Sequence, residues 1–152
     1  VVIAAVRMSM RSAPPAVCAA TALLVTIHPQ MVDVASMSQF LLMASDLMSV
    51  VRAAGGELTH DFVRYVVTRH EPHDGPQQQV VALLRGLFAN EVLAATVWKS
   101  TAVSDAGLTK QTLYELDRGT VGRATYERAT ESLDAVNAEI LGLIHRAWGR
   151  PT

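Results

Sequence analysis

The chain has 152 residues, half of them hydrophobic and 18% charged, with a formal net charge of −1. That length accommodates one domain with a substantial core, and the composition excludes an intrinsically disordered chain. The near-neutral balance excludes a global pull toward nucleic acid, so any such contact must come from a local patch.

In chain order, Val1-Val2-Ile3 reads as the end of a buried strand, and residues 7–16, with Pro14-Pro15, read as irregular. Cys18 is the only cysteine, so no internal disulfide forms; it is expected to fill core space in a reducing cytoplasm. The apolar run 17–27 is shorter than the ~20 residues a membrane helix needs. Arg7, Ser9, Arg11 and Ser12 break up the amino end, so neither a membrane partner nor a secretory signal is expected. The first residue is Val rather than Met, which fits an alternative start codon or a fragment.

Residues 22–27 form a short apolar run stopped by His28-Pro29-Gln30, which favours a buried strand over a helix. Asp33 is expected to cap the next helix, with Val34, Met37, Leu41, Ala44, Met48 and Val51 as its apolar stripe and Gly55-Gly56 as its end. Residues 62–68, apolar and β-branched, predict another buried strand. A polar loop over 69–76 leads through Asp74-Gly75-Pro76 into a helix with proline in its first turn. That helix is expected to bury Val80, Val81, Leu84, Leu87 and Phe88. A third short strand is expected over 92–98, then a loop over 99–119 containing one helical turn. Last comes a helix over 123–148, with Tyr126, Ala129, Leu133, Val136, Ile140, Leu143 and Ala147 on one face and Gly149 and Pro151 as its stop. Strands apolar on both faces and alternating with helices predict an α/β fold, a parallel sheet covered by helices.

Ligands of open α/β sheets bind outside the carboxyl ends of the strands. Three such ends carry polar residues here: His28-Pro29-Gln30, Thr68-Arg69-His70 and Trp98-Lys99-Ser100. Any parallel strand also ends in a polar loop, so the coincidence marks a candidate and no more. His70, Glu71, His73 and Asp74 lie close in sequence, but their spacing matches no zinc pattern, and no metal site is expected. His28, His60 and His145 are isolated, as structural or surface histidines are. Lys99, Lys110, Arg118 and Arg123 suggest a basic surface, but Asp105, Glu115 and Asp117 interleave with them as on an ordinary solvated face.

Several motifs carry a family resemblance. They are His28-Pro29-Gln30-Met31-Val32-Asp33-Val34, Val67-Thr68-Arg69-His70-Glu71-Pro72-His73-Asp74-Gly75, the run Lys99 to Glu115, Arg123-Ala124-Thr125-Tyr126-Glu127-Arg128-Ala129, and Leu133-Asp134-Ala135-Val136-Asn137-Ala138-Glu139-Ile140. Together, over residues 18–151, they closely resemble the carboxyl-terminal portion of the RepA branch of ParA/MinD-type partitioning ATPases, the deviant-Walker P-loop proteins of repABC plasmids. The resemblance implies the carboxyl-terminal half of a P-loop NTPase fold over residues 18–152, preceded by an irregular or altered segment over 1–17. It also implies a cytoplasmic role in plasmid segregation. Members of that family use ATP and Mg²⁺, form self-dimers, bind DNA without sequence preference, and respond to a partition B protein.

By that similarity, Thr68, Arg69, Lys99, Ser100, Thr101 and Ala102 would flank the base and ribose of ATP. Lys99, Arg69, His73 and Lys110 would be the DNA-contacting candidates. The departures matter equally. No G-K-[ST] phosphate loop occurs in the sequence, and the family's strand-end Asp followed by Pro-Pro is replaced by Ala4-Ala5, with Pro14-Pro15 about ten residues later. A pair of compensating frameshifts over residues 4–17 would account for that mismatch. Phosphoryl transfer rests on the phosphate loop, its lysines and Mg²⁺. The chain is therefore expected to be inactive as an ATPase alone, with no catalytic residues and no tightly held cofactor. The alternatives are a non-enzymatic module docking on the intact partition A or B protein, and a non-functional gene remnant.

Overall fold

The structure, a computed structural model, describes residues 3–7, 20–56, 59–117 and 121–149. Strands β1 (Ile3–Arg7), β2 (Ala22–Ile27) and β3 (Phe62–Val67) form a parallel sheet in the order β1-β2-β3. Helices α1 (Met31–Ala53), α2 (Gly75–Phe88), α3 (Thr101–Leu108) and α4 (Arg123–Trp148) complete the described framework, with short 3-10 turns at Ala89–Glu91 and Leu113–Glu115.

Side-chain alternation along β2 explains the layers. Leu23, Val25 and Ile27 face a core shared with Met37 and Phe40 of α1 and with Val80, Val81 and Leu84 of α2. Ala22 and Leu24 face the opposite side, against Val136 and Leu143 of α4. A strand with a period of two and apolar residues on both of its faces must be covered on both sides, as the sequence predicts. Ala102, Ala106, Leu113, Leu116, Val121, Tyr126 and Ala129 form a separate small core, which joins α3 to the first half of α4.

Several expectations need correction. β1 continues through Ala4 and Ala5 to Arg7, pairing with Ala22 to Thr26, where the sequence reading ended the strand at Ile3. Parallel pairing draws on backbone N–H and C=O groups that alanine supplies as well as valine. The segment 1–17 therefore contributes a strand that takes in Arg7, while the rest of the irregular stretch expected over 7–16 lies outside the described residues. Asp33 is not the cap of α1. Gln30 holds that position without a side-chain bond, and Asp33 sits in the first turn, where its charge suits the helix dipole. Phe40 joins Met37 in the core, and Met43 and Leu47 pack beside them, residues outside the expected stripe. Leu87 is 62% exposed and Ala147 is also exposed; the residue after each, Phe88 and Trp148, turns to the core instead, so these two positions face away from it. The loop after Lys99 contains the eight residues of α3, not a single turn.

Other features follow the sequence closely. Asp74 caps α2 by accepting the Gln77 N–H at 3.1 Å, with Pro76 in the first turn. Gly55, at φ +80°, follows α1, and Gly149 ends α4 in the left-handed conformation. α1 is long and apolar enough to cross a membrane by length and composition; here it lies on the sheet through Met37 and Phe40.

The expected third strand over 92–98 is the most informative difference. Its backbone runs parallel beside β3 and bonds to it at both ends: Leu93 N–H to Tyr65 C=O and Val97 N–H to Val67 C=O, both 2.9 Å. Between them the ladder is interrupted. The Ala94 and Ala95 N–H groups donate instead to the two carboxylate oxygens of Glu139 on α4, at 3.0 and 2.9 Å, while the Arg85 guanidinium donates to Ala94 C=O at 2.8 Å. Two side chains thus satisfy backbone groups that a continuous strand would pair with its neighbour.

Replacing Glu139 with Ala leaves two N–H groups without their charged acceptor and is expected to cost about 1–3 kcal/mol. Glu139→Gln keeps one acceptor oxygen and should fall between. Urea denaturation reads both as a lowered midpoint at unchanged slope.

Candidate functional site

The carboxyl ends of β2, β3 and the 92–99 segment lie in one row, held by main-chain bonds. Thr68 N–H donates to Ile27 C=O at 2.8 Å, His70 N–H to Val97 C=O at 3.0 Å, and Lys99 N–H to His70 C=O at 2.9 Å. The three polar strand ends singled out by sequence are therefore neighbours.

Arg69 occupies the left-handed region at φ 55°, uncommon for a residue with a Cβ. The turn places its exposed side chain at the strand end, while His70 and Thr68 stay partly buried. His70 Nδ1 lies 3.0 Å from the Thr96 hydroxyl, and its Nε2 is shielded from solvent without a protein partner. Burial holds the His70 pKa below the ordinary histidine value, the nearby Arg85 charge lowers it further, and Asp74 opposes both.

A cavity of about 390 Å³ opens between the two loops, lined by residues that include His70, Glu71, His73, Trp98, Lys99 and Arg128. On the other side of Trp98 and Lys99 lies a second cavity of about 220 Å³, bounded by Ser100, Thr101, Thr125, Arg128 and Ala129. Lys99 Nζ pairs with Glu71 Oε1 at 2.9 Å. The hydrogen bond from Lys99 is the main reason the Glu71 carboxyl lies below its usual range. Glu71 is fixed from behind, because its N–H donates to the side-chain oxygen of buried Gln77 at 2.9 Å. His28 at the end of β2 is in turn 3.2 Å from Asp33.

Of the residues proposed for a base and ribose, Lys99, Ser100 and Thr101 border the smaller cavity. Ser100 caps α3, its hydroxyl oxygen accepting the Ala102 N–H at 3.2 Å. The Ala102 side chain is fully buried in the small core, so only its backbone is near the cavity. Thr68 spends its hydroxyl on Ile27 C=O at 3.5 Å, and Arg69 stands on the adjoining turn. Of the DNA candidates, Lys99 and His73 line the larger cavity together. Lys110 lies past the far end of α3, roughly 12 Å along the helix axis, and is not brought to this group.

Sequence reasoning placed Trp98 at a candidate strand end but missed Arg128 as its partner. The Arg128 guanidinium lies 5.5 Å from the centre of the Trp98 ring, a cation–π arrangement. The Trp98 backbone N–H donates to the buried Ser132 hydroxyl at 3.3 Å, and that hydroxyl donates to Ala129 C=O at 3.0 Å. The available signal was the helical spacing of Thr125, Arg128, Ala129 and Ser132, which puts them on adjoining strips of α4. Among the described residues no three His, Cys, Asp or Glu side chains gather to hold a metal ion.

The cluster offers two cations, an aromatic ring, hydroxyls and a helix amino end around open space. That donor set suits a phosphate-bearing or heteroaromatic ligand.

No protein-family model matches the chain. It is 55% identical over 137 residues to "Putative replication protein A" of Rhizobium rhizogenes, covering 90% of this chain and 34% of that relative. It is likewise 55% identical over 135 residues to the protein of the same description from Sinorhizobium fredii, covering 89% and 33%. The chain thus spans about a third of the length of the curated relatives it matches. Among solved structures, a chain described as "Partition Protein" superposes with a TM-score of 0.57 at 15% identity, covering 84% of this chain and 31% of the other. At that identity the likeness speaks for the fold alone. The sequence likeness supports a relationship to replication proteins, and the structural likeness supports a shared fold.

Two predictions test the local geometry. Arg69→Gly removes the steric cost of a left-handed residue, and is expected to stabilise the fold by about 0.5–1 kcal/mol in thermal or urea unfolding. Because the His70 pKa is lowered in the folded state, folding disfavours its protonated form. Its contribution is complete above the unfolded pKa near 6.5 and is lost as pH falls through the folded value. The stability gap between the parent chain and His70→Gln should therefore shift against the parent below about pH 6.5, as read from urea midpoints across pH.

Proposed function

We propose that this chain forms the base-facing and DNA-facing wall of a ParA-type plasmid-partition ATPase and does not hydrolyse ATP by itself. The observation that carries the reading is the row of strand ends that brings Lys99, Trp98 and Arg128 around one pair of cavities. The similarity to replication proteins and the fold shared with a partition protein agree with it.

In this reading Ser100 and Thr101 border the base and ribose, Thr68 and Arg69 contribute from the neighbouring turn, and Lys99 and Arg128 face phosphates. Bound ATP with Mg²⁺ would supply the γ-phosphoryl group and its charge neutralisation. The chain's own residues hold the heterocycle and sugar, and they exclude water from the cleft beside Trp98. Hydrolysis requires positioned groups around the γ-phosphoryl, and the sequence lacks the loop that cradles it. The setting is cytoplasmic, with DNA, a partition B protein and a second copy as partners.

Purified chain should show no Mg²⁺-dependent ATP turnover above background in a phosphate-release assay; chelator-sensitive turnover would overturn the reading. Lys99→Glu should weaken binding to duplex DNA of arbitrary sequence and lower the salt slope of log K by about one. Unchanged affinity at low salt would remove Lys99 from the interface.

A second reading has one specific observation in its favour. α1 leaves Met31, Val32, Leu42 and Val50 exposed, an apolar surface suited to docking on an intact partition A or B protein. Size-exclusion chromatography with each purified partner separates this reading from the first.

A further inference from the structure

The charged groups of the larger cavity are not open to a ligand on equal terms. Two carboxylates line it, Glu71 and Asp74, and Asp74 is committed to the amino end of α2 through Gln77 N–H. Glu71 is aimed the other way, at the Lys99 ammonium, 2.9 Å distant. Neither backbone is free to drift. The Glu71 N–H is tied to buried Gln77, and the Lys99 N–H is tied to His70 C=O. The ion pair therefore spans two pinned loops, and a phosphate reaching Lys99 competes with the carboxylate for the ammonium.

We propose that Glu71 is an internal competitor for Lys99: an acidic latch that mimics the ligand's phosphate and holds the cation until a stronger anion replaces it. This rests on the reading of Lys99 as a phosphate contact. The shared ligand chemistry is a phosphate oxyanion, carried by a nucleotide or by the DNA backbone. Arg128, stacked on Trp98 at the same cavity, provides the first point of attraction, because among the described residues no carboxylate lies within ion-pair distance of it. Both members of the Glu71–Lys99 pair are about half exposed. Such pairs are weak, so the latch sets a threshold rather than a block, on the order of a two- to fivefold change in affinity.

The test is a double-mutant cycle on the full chain, using Glu71→Gln, Lys99→Met and the double variant. Fluorescence anisotropy measures a labelled arbitrary-sequence duplex at low salt, and a parallel titration uses a fluorescent ATP analogue. Glu71→Gln should tighten binding about two- to fivefold, and Lys99→Met should weaken it. In the Lys99→Met background the gain from Glu71→Gln should vanish, because the latch acts only through that ammonium. Whichever of the two titrations shows the cycle identifies the source of the phosphate. A gain that persists without Lys99 would mean general repulsion by Glu71 and would overturn the latch. No gain, with Lys99→Met still weakening binding, would also overturn it while leaving the phosphate reading of Lys99 intact. If Lys99→Met changes neither titration, the reading of Lys99 falls and the latch falls with it.

Discussion

The carboxylate of Glu139 is the constraint on which the site depends. By accepting the N–H groups of Ala94 and Ala95 together, it holds the chain beside β3 in a local bulge. The bulge shifts the register, and pairing resumes beyond it, where Val97 bonds to Val67, and His70 and Lys99 bond across the strand ends. Arg85 of α2 fixes the same bulge from the other helix layer through Ala94 C=O. One irregular stretch is thus clamped by helices on both faces of the sheet. The side chains beyond it, Trp98 and Lys99, inherit that rigidity. A bulge that re-aims side chains at the end of a ladder is a recurring neighbour of functional sites.

What was legible in the sequence is what local rules decide. Asp74-Gly75-Pro76 announces α2 because capping and proline act within four residues. The spacing of Tyr126, Ala129, Val136 and Leu143 announces α4 because one face of a long helix must meet the core. The mainly apolar runs over 22–27 and 62–68 announce a doubly covered parallel sheet, in which β3 ends at Val67. The failures share a different cause. Asp33 has the chemistry of a cap, but the chain turns into the helix at Gln30, after the Pro29 stop, and the carboxylate finds His28 instead. The 92–98 segment has a strand's composition, yet its middle is claimed by Glu139, more than forty residues away. No window along the chain contains that competition. α3 was read as little more than a turn because its buried face is only Ala102 and Ala106, too small to produce a periodic apolar signal.

The site divides along the same line. The three strand ends were found from sequence because the rule that ligands gather there is topological. Lys99 followed, since it stands directly after an apolar run. Arg128 did not, because its place beside Trp98 is set by how α4 crosses the sheet, and the buried Ser132 that fixes the contact reads as a polar interruption of a helix face. Lys110 was grouped with Lys99 by proximity in sequence, but α3 intervenes and carries it away. Charges close in sequence are poor guides to a patch when a helix separates them.

The arrangement of charge at these strand ends follows from their rigidity. His28 has Asp33, Lys99 has Glu71, and Arg128 has the face of Trp98. The main chain beneath them is fixed by the sheet and needs no ligand to order it. Binding at such a surface exchanges one partner for another and orders little chain, so its entropic cost is small. Its selectivity then depends on which ligand groups outcompete the resident partners. A carboxylate offers Lys99 two oxygens and one negative charge, whereas a phosphate offers more oxygens and, in a polymer, a continuous row of charge. On the proposed reading of Lys99, a wall built this way would favour extended or multiply charged phosphates over single carboxylates, even though the sequence lacks the loop that would drive their chemistry.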